Sequence, residues 1–264
     1  MHSFLLLDAG NSALKWGRYA DLSPERQTGG SIALSELDFA ARVAAMLQSA
    51  TRPAAIRGCT VTGSGTVRTV EELAALTLGL PVTWYGAQER FEHGGVRVEN
   101  GYRDPSRLGA DRWHALLAAR SLHPDRTVLV VGAGTAVTVD SLLSTGRFAG
   151  GTISPGIELM RTSLARGTAQ LPQAAGQWRD HPDETEDAIR TGILDAAAGL
   201  VRERLRWLAG TSGDPEPAIL LTGGSAAVLA ERLRAGGGLG TMTLQPDLVL
   251  RGLWLRSRAE RAAP

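Results

Sequence analysis

The stretch LLLDAGNSALKWGR, residues 5–18, sets an aspartate, a glycine–asparagine turn and a lysine within eight residues of one another, at the end of an apolar run. Lys15 is the one lysine among 28 basic residues; all the others are arginine. A carboxylate that ends a strand, as Asp8 does, can hold a hydrated Mg²⁺ against a polyphosphate, because Mg²⁺ keeps its waters and takes one or two carboxylates. Asn11 and Ser12 add donors for phosphate oxygens, and Lys15 is a compact point charge for the same group. Two further glycine turns follow apolar runs: Gly132-Ala133-Gly134-Thr135 and Thr222-Gly223-Gly224. Glycine lets backbone approach a ligand closely, and successive N–H groups in a tight turn form an anion-binding concavity. Each turn taken alone also fits an ordinary hairpin.

Other phosphate signatures fail on context. Gly132-x-Gly134 has Val137 where a dinucleotide fingerprint needs its third glycine, and AVTVDSL continues as strand where a helix should open. No Gly-x-x-x-x-Gly-Lys-Ser/Thr loop is present. Cys59, the sole cysteine, excludes an internal disulfide and reads as a buried structural thiol within AAIRGCTVTG. The five histidines, at 2, 93, 114, 123 and 181, lack metal-ligand spacing.

The elements that must position these groups read as mixed α/β. Residues 3–20 form two strands joined by a tight turn at Ala9-Gly10-Asn11, where glycine and asparagine would supply positive backbone angles. LDFAARVAAMLQSA is helical, AAIRGCTV and PVTWYG are strands, and Thr69 with Glu72 reads as a capping box opening a helix that glycine ends. A loop follows, then a helix that begins at Gly109-Ala110-Asp111, where Asp111 could serve as N-cap. The strand–glycine turn–strand pattern restarts 124 residues after Asp8, which points to a duplicated domain. Beyond a hairpin at Ser144-Thr145-Gly146 come a helix from about Gly156, a long helix from Thr185 to Leu208, a strand–turn–helix at AILLTGGSAAVLAERL and a final amphipathic helix. The expected lobes are residues 1–118 and 119–264.

Composition sets the class. Hydrophobic residues are 43%, charged residues 21%, and the net charge is +1, values of a globular chain without the basic stripe of a nucleic-acid binder. No run reaches the ~20 apolar residues of a membrane span, and the N-terminus lacks a signal peptide's charged segment. The expectation is a cytoplasmic protein with neither a nucleic-acid nor a membrane partner.

DAGNSALKWG, GTAVTVD and LLTGG resemble the phosphate-1, phosphate-2 and adenosine motifs of the acetate and sugar kinase/Hsp70/actin superfamily. Within it, NGYRDPSRLGADRWHALLAAR, AGGTISPGIEL with GTAQLP, and ETEDAIRTGI resemble the type III pantothenate kinases, in motif order from Phe4 to about Ala230. The resemblance implies two related actin-like (ribonuclease H-like) lobes with a nucleotide cleft between them, ATP and Mg²⁺ as cofactors, pantothenate as substrate and a homodimer. It implies that Asp8, Ala9, Gly10, Asn11, Ser12, Ala13, Leu14, Lys15 and Thr135 bind the nucleotide, with Asp8 holding the metal through water. Tyr102, Gly109, Ala110, Asp111, Arg112 and Thr185 would bind the substrate, and Asp111 would accept its proton. Thr185 equally fits an N-cap of the long helix. Many relatives carry an aspartate at the position of Gly132 that holds an activating K⁺ or NH₄⁺, and glycine cannot replace it. Two other readings stay open: a non-catalytic regulatory relative, and a kinase for another small hydroxylated substrate.

Overall fold

The computed structural model describes residues 3–49, 52–168, 171 and 175–262. The chain divides into two compact units, Met1–Leu122 with Asp247–Pro264, and His123–Pro246.

In the first unit, β1 (Ser3–Ala9), β2 (Ala13–Ala20) and β3 (Arg26–Ala33) form an antiparallel meander. Then come α1 (Phe39–Gln48), β4 (Ala55–Thr60), α2 (Ser64–Leu78) and β5 (Val82–Trp84), giving a sheet of order β3-β2-β1-β4-β5 in which β1, β4 and β5 run parallel. A hairpin of β6 (Arg90–His93) and β7 (Val96–Asn100), a short 3₁₀ turn (Pro105–Arg107), α3 (Ala110–Leu122) and the C-terminal helix (Leu248–Ala262) complete it. Side chains alternate across a strand, so β1 feeds two cores. Leu5, Leu7 and Ala9 pack with Val43 and Leu47 of α1 and with Val70 and Ala74 of α2. Phe4 and Leu6 pack on the other side with Cys59, Ala110, Leu253 and Trp254. A strand covered on both faces must be apolar throughout, which is why Phe4–Leu7 has no polar residue.

The second unit repeats this plan. β8 (Val128–Ala133), β9 (Ala136–Leu142) and β10 (Arg147–Pro155) form a meander; α4 (Ile157–Gly167), α5 (Thr185–Ser212), β11 (Ala218–Thr222), α6 (Ala226–Ala235) and β12 (Met242–Leu244) follow. Among these strands the order is β10-β9-β8-β11-β12, with β11 parallel to β8 and β12 parallel to β11. Leu129, Val131, Val137 and Val139 pack with Ile193, Leu194 and Val201 of α5 and with Leu229 of α6. The same strand order and directions in both units support the duplication read from the sequence, although two helices stand between β10 and β11 where one stands between β3 and β4.

Several local expectations are corrected. The loop expected after β5 contains the β6–β7 hairpin, turning at Gly94 and Gly95 with φ +58° and +82°. Helix α2 begins at Ser64, so Thr69 lies inside it, where its hydroxyl donates to the Gly65 carbonyl instead of capping. The β1–β2 turn holds no left-handed residue: it closes by Gly10 N–H donating to the Ala13 carbonyl at 3.1 Å, and three linking residues reverse the chain without a positive φ. The expected division at 118/119 also differs from the two units, because the C-terminal helix packs with the first. There a Cβ on Gly252 would lie 1.8 Å from the His114 carbonyl oxygen, so only glycine permits this approach to α3. Among the described residues, no helix is long and apolar enough to cross a membrane.

Candidate active site

Strand register assembles the first part of the site. Antiparallel pairing sets Lys15 opposite Asp8, and parallel pairing sets Cys59 beside it, so Lys15, Asp8 and Cys59 form one row across β2, β1 and β4. Asp8 continues the face of Phe4 and Leu6, and it is only 6% exposed. Burial pushes its carboxyl up to about 6; the Lys15 ammonium opposes the rise, the Asp111 charge adds to it, and a hydrogen bond from Cys59 opposes it. The Cys59 thiol donates to Asp8 Oδ1 at 3.8 Å. Asn11 and Ser12 are exposed at the strand end, and Lys15 is half-buried. The carboxyl ends of strands are where open α/β sheets bind ligands.

The second part is built on α3. Asp111 is the second residue of this helix and therefore not its N-cap; its Oδ1 accepts from the Arg112 backbone N–H at 2.8 Å. A Cβ on Gly109 would come within 2.7 Å of that oxygen, which explains a glycine here. The N-terminal end of a helix favours negative charge, so the position suits a carboxylate. Arg112 is buried, donates from Nη1 to the Tyr102 hydroxyl at 2.9 Å, and lies 5.6 Å from the centre of the Tyr102 ring. Sequence reasoning missed Asn100, which organises this loop. Its Nδ2 donates to the carbonyls of Gln88 and Pro105, both at 3.1 Å, while its Oδ1 accepts from Tyr102 N–H. A buried asparagine ahead of a Gly-Tyr-Arg-Asp-Pro turn is the signal that could have found it.

His114, one turn on, is fully buried. Its Nδ1 lies 2.6 Å from the Ala110 carbonyl, and burial, followed by the Arg256 charge, holds its pKa down to about 4 against the one hydrogen bond that favours the proton. It is a neutral core histidine.

In the second unit, Gly132 is the penultimate residue of β8 and is paired with Thr138 on one side and Thr222 on the other. A Cβ on Gly132 would stand 2.6 Å from Thr138 Oγ1, so a threonine hydroxyl fills the space beside this backbone. The Gly134–Thr135 turn meets two other glycines. Gly223, with φ +105°, approaches Ala133 so closely that a Cβ would lie 2.4 Å from its carbonyl oxygen, and a Cβ on Gly156 would lie 2.2 Å from the Gly134 carbonyl oxygen. Thr135 is exposed, and its carbonyl accepts from Gly156 N–H at 2.9 Å. Thr185 is the first residue of α5 and exposed; the cap position belongs to Glu184. Of the GTAQLP motif, Ala169, Gln170 and Pro172 lie outside the described residues. The structure thus brings Lys15 and Asp111 within electrostatic reach of Asp8, sets Tyr102 against Arg112, and places Thr135 and Thr185 on the second unit.

Comparison with known proteins agrees over most of the chain. The family model described as type III pantothenate kinase matches residues 4–206. A type III pantothenate kinase of Laribacter hongkongensis is 40% identical over 252 residues, covering 94% of this chain and 96% of that protein. Among solved structures, a Sinorhizobium meliloti protein assigned as a 2-dehydro-3-deoxygalactonokinase superposes with a TM-score of 0.61 at 12% identity, covering 100% of each chain. An inorganic polyphosphate/ATP-glucomannokinase of Arthrobacter sp. strain KM gives 0.51 at 14% identity, covering 99% of this chain and 100% of that one. These two likenesses show the fold alone, a two-lobe α/β architecture.

Proposed function

Because the chain belongs to the type III pantothenate kinase family, we propose that it transfers the γ-phosphoryl group of ATP to the primary hydroxyl of pantothenate, yielding 4′-phosphopantothenate and ADP, the first step of coenzyme A synthesis. The observation that carries this reading is the convergence of Asp8, Lys15 and Asp111 in the first unit. Phosphoryl transfer asks a protein mainly for positioning and charge neutralisation, with one group to orient the nucleophile.

Asp111 orients the attacking hydroxyl and accepts its proton as the oxygen–phosphorus bond forms and the bond to ADP breaks. Arg112, steadied by Tyr102, grips the substrate carboxylate, a task suited to a planar fork of donors. Lys15 sets its charge on the transferring phosphate, and the backbone from Ala9 to Leu14 with Thr135 contacts the nucleotide. Gly109 and Ala110 let the substrate approach the start of α3, and Thr185 is a further substrate-binding residue.

Asp8 would hold a hydrated Mg²⁺, which when bound neutralises phosphate charge. The donor set fits: one carboxylate at a strand end faces a lysine, and among the described residues no group of three or more metal-ligating side chains forms a protein cage. A monovalent cation fits less well, since Gly132 offers no carboxylate and Thr138 Oγ1 fills the space beside it. The reading includes a cytoplasmic homodimer, supported by the family resemblance. Purified protein given ATP and pantothenate, with and without K⁺, should form ADP and phosphopantothenate in equal amounts under both conditions. No turnover on pantothenate in either, or turnover only on a different hydroxylated compound, would overturn the assignment.

A further inference from the structure

The carboxylate of Asp8 is held from one side by a thiol. Cys59 lies directly beside Asp8 in the parallel β1–β4 register, is 0% exposed, and points its Sγ at Oδ1 from 3.8 Å. That is the side-chain hydrogen bond Asp8 makes among the described residues. Lys15 from β2 and Asp111 from α3 act on the same carboxylate by charge. The apolar cluster that Cys59 belongs to includes Phe4, Leu6, Tyr19, Ala110 and Leu253. Filling that space asks only for a small apolar residue, and valine or alanine would serve. What those residues lack is a donor.

We propose, on the reading of Asp8 as the metal- and phosphate-side carboxylate, that Cys59 is a positioning residue: its S–H engages Oδ1, fixes the carboxylate plane, and leaves Oδ2 as the oxygen offered to the hydrated metal. The role is orientation alone and involves no covalent chemistry. It accounts for a polar donor kept in an otherwise apolar cluster at the register position directly beside a buried carboxylate.

The chain has a single cysteine, so its S–H stretch is one assignable infrared band. In native protein the band should sit at lower frequency than in the same protein unfolded in urea, and Asp8→Ala should abolish that difference. A native band at the unfolded position, or one that Asp8→Ala leaves unmoved, overturns the proposal.

Calorimetric titration with MgATP tests the consequence. Cys59→Val, which fills the pocket without a donor, should weaken MgATP binding by about 3- to 10-fold, the worth of one modest hydrogen bond, and leave pantothenate affinity unchanged. Cys59→Ser, which restores a donor, should stay within about twofold of the parent, consistent with that same bond. In an Asp8→Asn background, Cys59→Val should have no further effect. Equal weakening in both backgrounds, with serine failing as valine does, would reveal a packing role and sink the proposal. If Asp8→Asn itself binds MgATP and turns over like the parent, the reading of Asp8 fails instead. An impaired Asp8→Asn beside a harmless Cys59→Val removes only the thiol's role. Thermal melting of each variant establishes that it is folded.

Discussion

At the end of β1, three neighbouring strands carry Lys15, Asp8 and Cys59 side by side; at the same place in the second unit, β9, β8 and β11 carry Thr138, Gly132 and Thr222. The strand order around the two rows is the same, and the chemistry is not. The first row is charged and largely buried, at a cost visible in the raised pKa of Asp8. The second is neutral and made of hydroxyls and bare backbone, drawn together by Gly132, Gly156 and Gly223. Duplication therefore preserved a scaffold while the work divided: charge on one copy, close backbone approach on the other. Uncompensated charge is expensive to bury, and the second row, having none, avoids that cost.

The largest effect should come from the substrate side of the charged unit. Asp111→Asn is expected to lower kcat by about 10²- to 10⁴-fold, the usual worth of a general base, with MgATP affinity retained by calorimetry. Unchanged turnover would remove Asp111 as the base.

Stability against pH sharpens the comparison next. His114 titrates at about 4 in the folded chain and at 6.5 when unfolded, so its contribution is fully present above 6.5 and is lost as pH falls towards 4. That difference corresponds to on the order of 3 kcal/mol. Asp8 acts in the opposite direction. Its folded value of about 6 lies above the ordinary 3.8, so the folded chain binds this proton first and Asp8 costs stability as pH rises from about 4 to 6. Without Mg²⁺ or nucleotide, the two should nearly cancel in the parent. Asp8→Asn should unmask His114, giving a stability that climbs by roughly 3 kcal/mol between pH 4 and 6.5. Urea unfolding at stepped pH measures this, and a flat profile for the variant would contradict it. Asp187, a buried carboxylate of the second unit, is held below the ordinary range by Gln177 N–H and the Arg179 guanidinium, so its contribution is lost only at lower pH still.

The smallest effects contrast two glycines. Gly252→Ala would drive a methyl into the His114 carbonyl and should cost about 1–3 kcal/mol, the range for overpacking. Gly199→Ala, in an exposed and open position of α5, should instead stabilise by about 0.4–1 kcal/mol through the unfolded chain. Melting temperatures that move in the same direction for both would break the contrast.

Much of this arrangement was legible in the sequence. The glycine turns and their 124-residue repeat stand out because close backbone approach excludes every other residue, and the β1–β2 hairpin can be read from its apolar run and its turn. Features that depend on non-local register were not legible. Nothing near Cys59 announces that β4 will lie beside β1 in the register that brings its thiol to Asp8. Nothing near Gly252 announces that the last helix will press on α3. The β6–β7 hairpin was readable in principle, since Phe91, Val96 and Val98 alternate with polar residues about a Gly-Gly turn, but the charged outward positions obscured the pattern. The capping pattern at Thr69 misled because two favourable side chains at the right spacing do not fix where a helix starts when the preceding turn can also be helical.

The division of charge between the two rows is tested most directly by kcat/KM for ATP, in the pantothenate assay, for Lys15→Ala and Thr138→Val side by side. Removing a charged contact to phosphate is worth about 1.5–3 kcal/mol, so the lysine variant should fall by roughly 10- to 100-fold, and the threonine variant should stay within about threefold, as a neutral hydroxyl would. Equal losses, or a Lys15→Ala enzyme as efficient as the parent, would contradict the account.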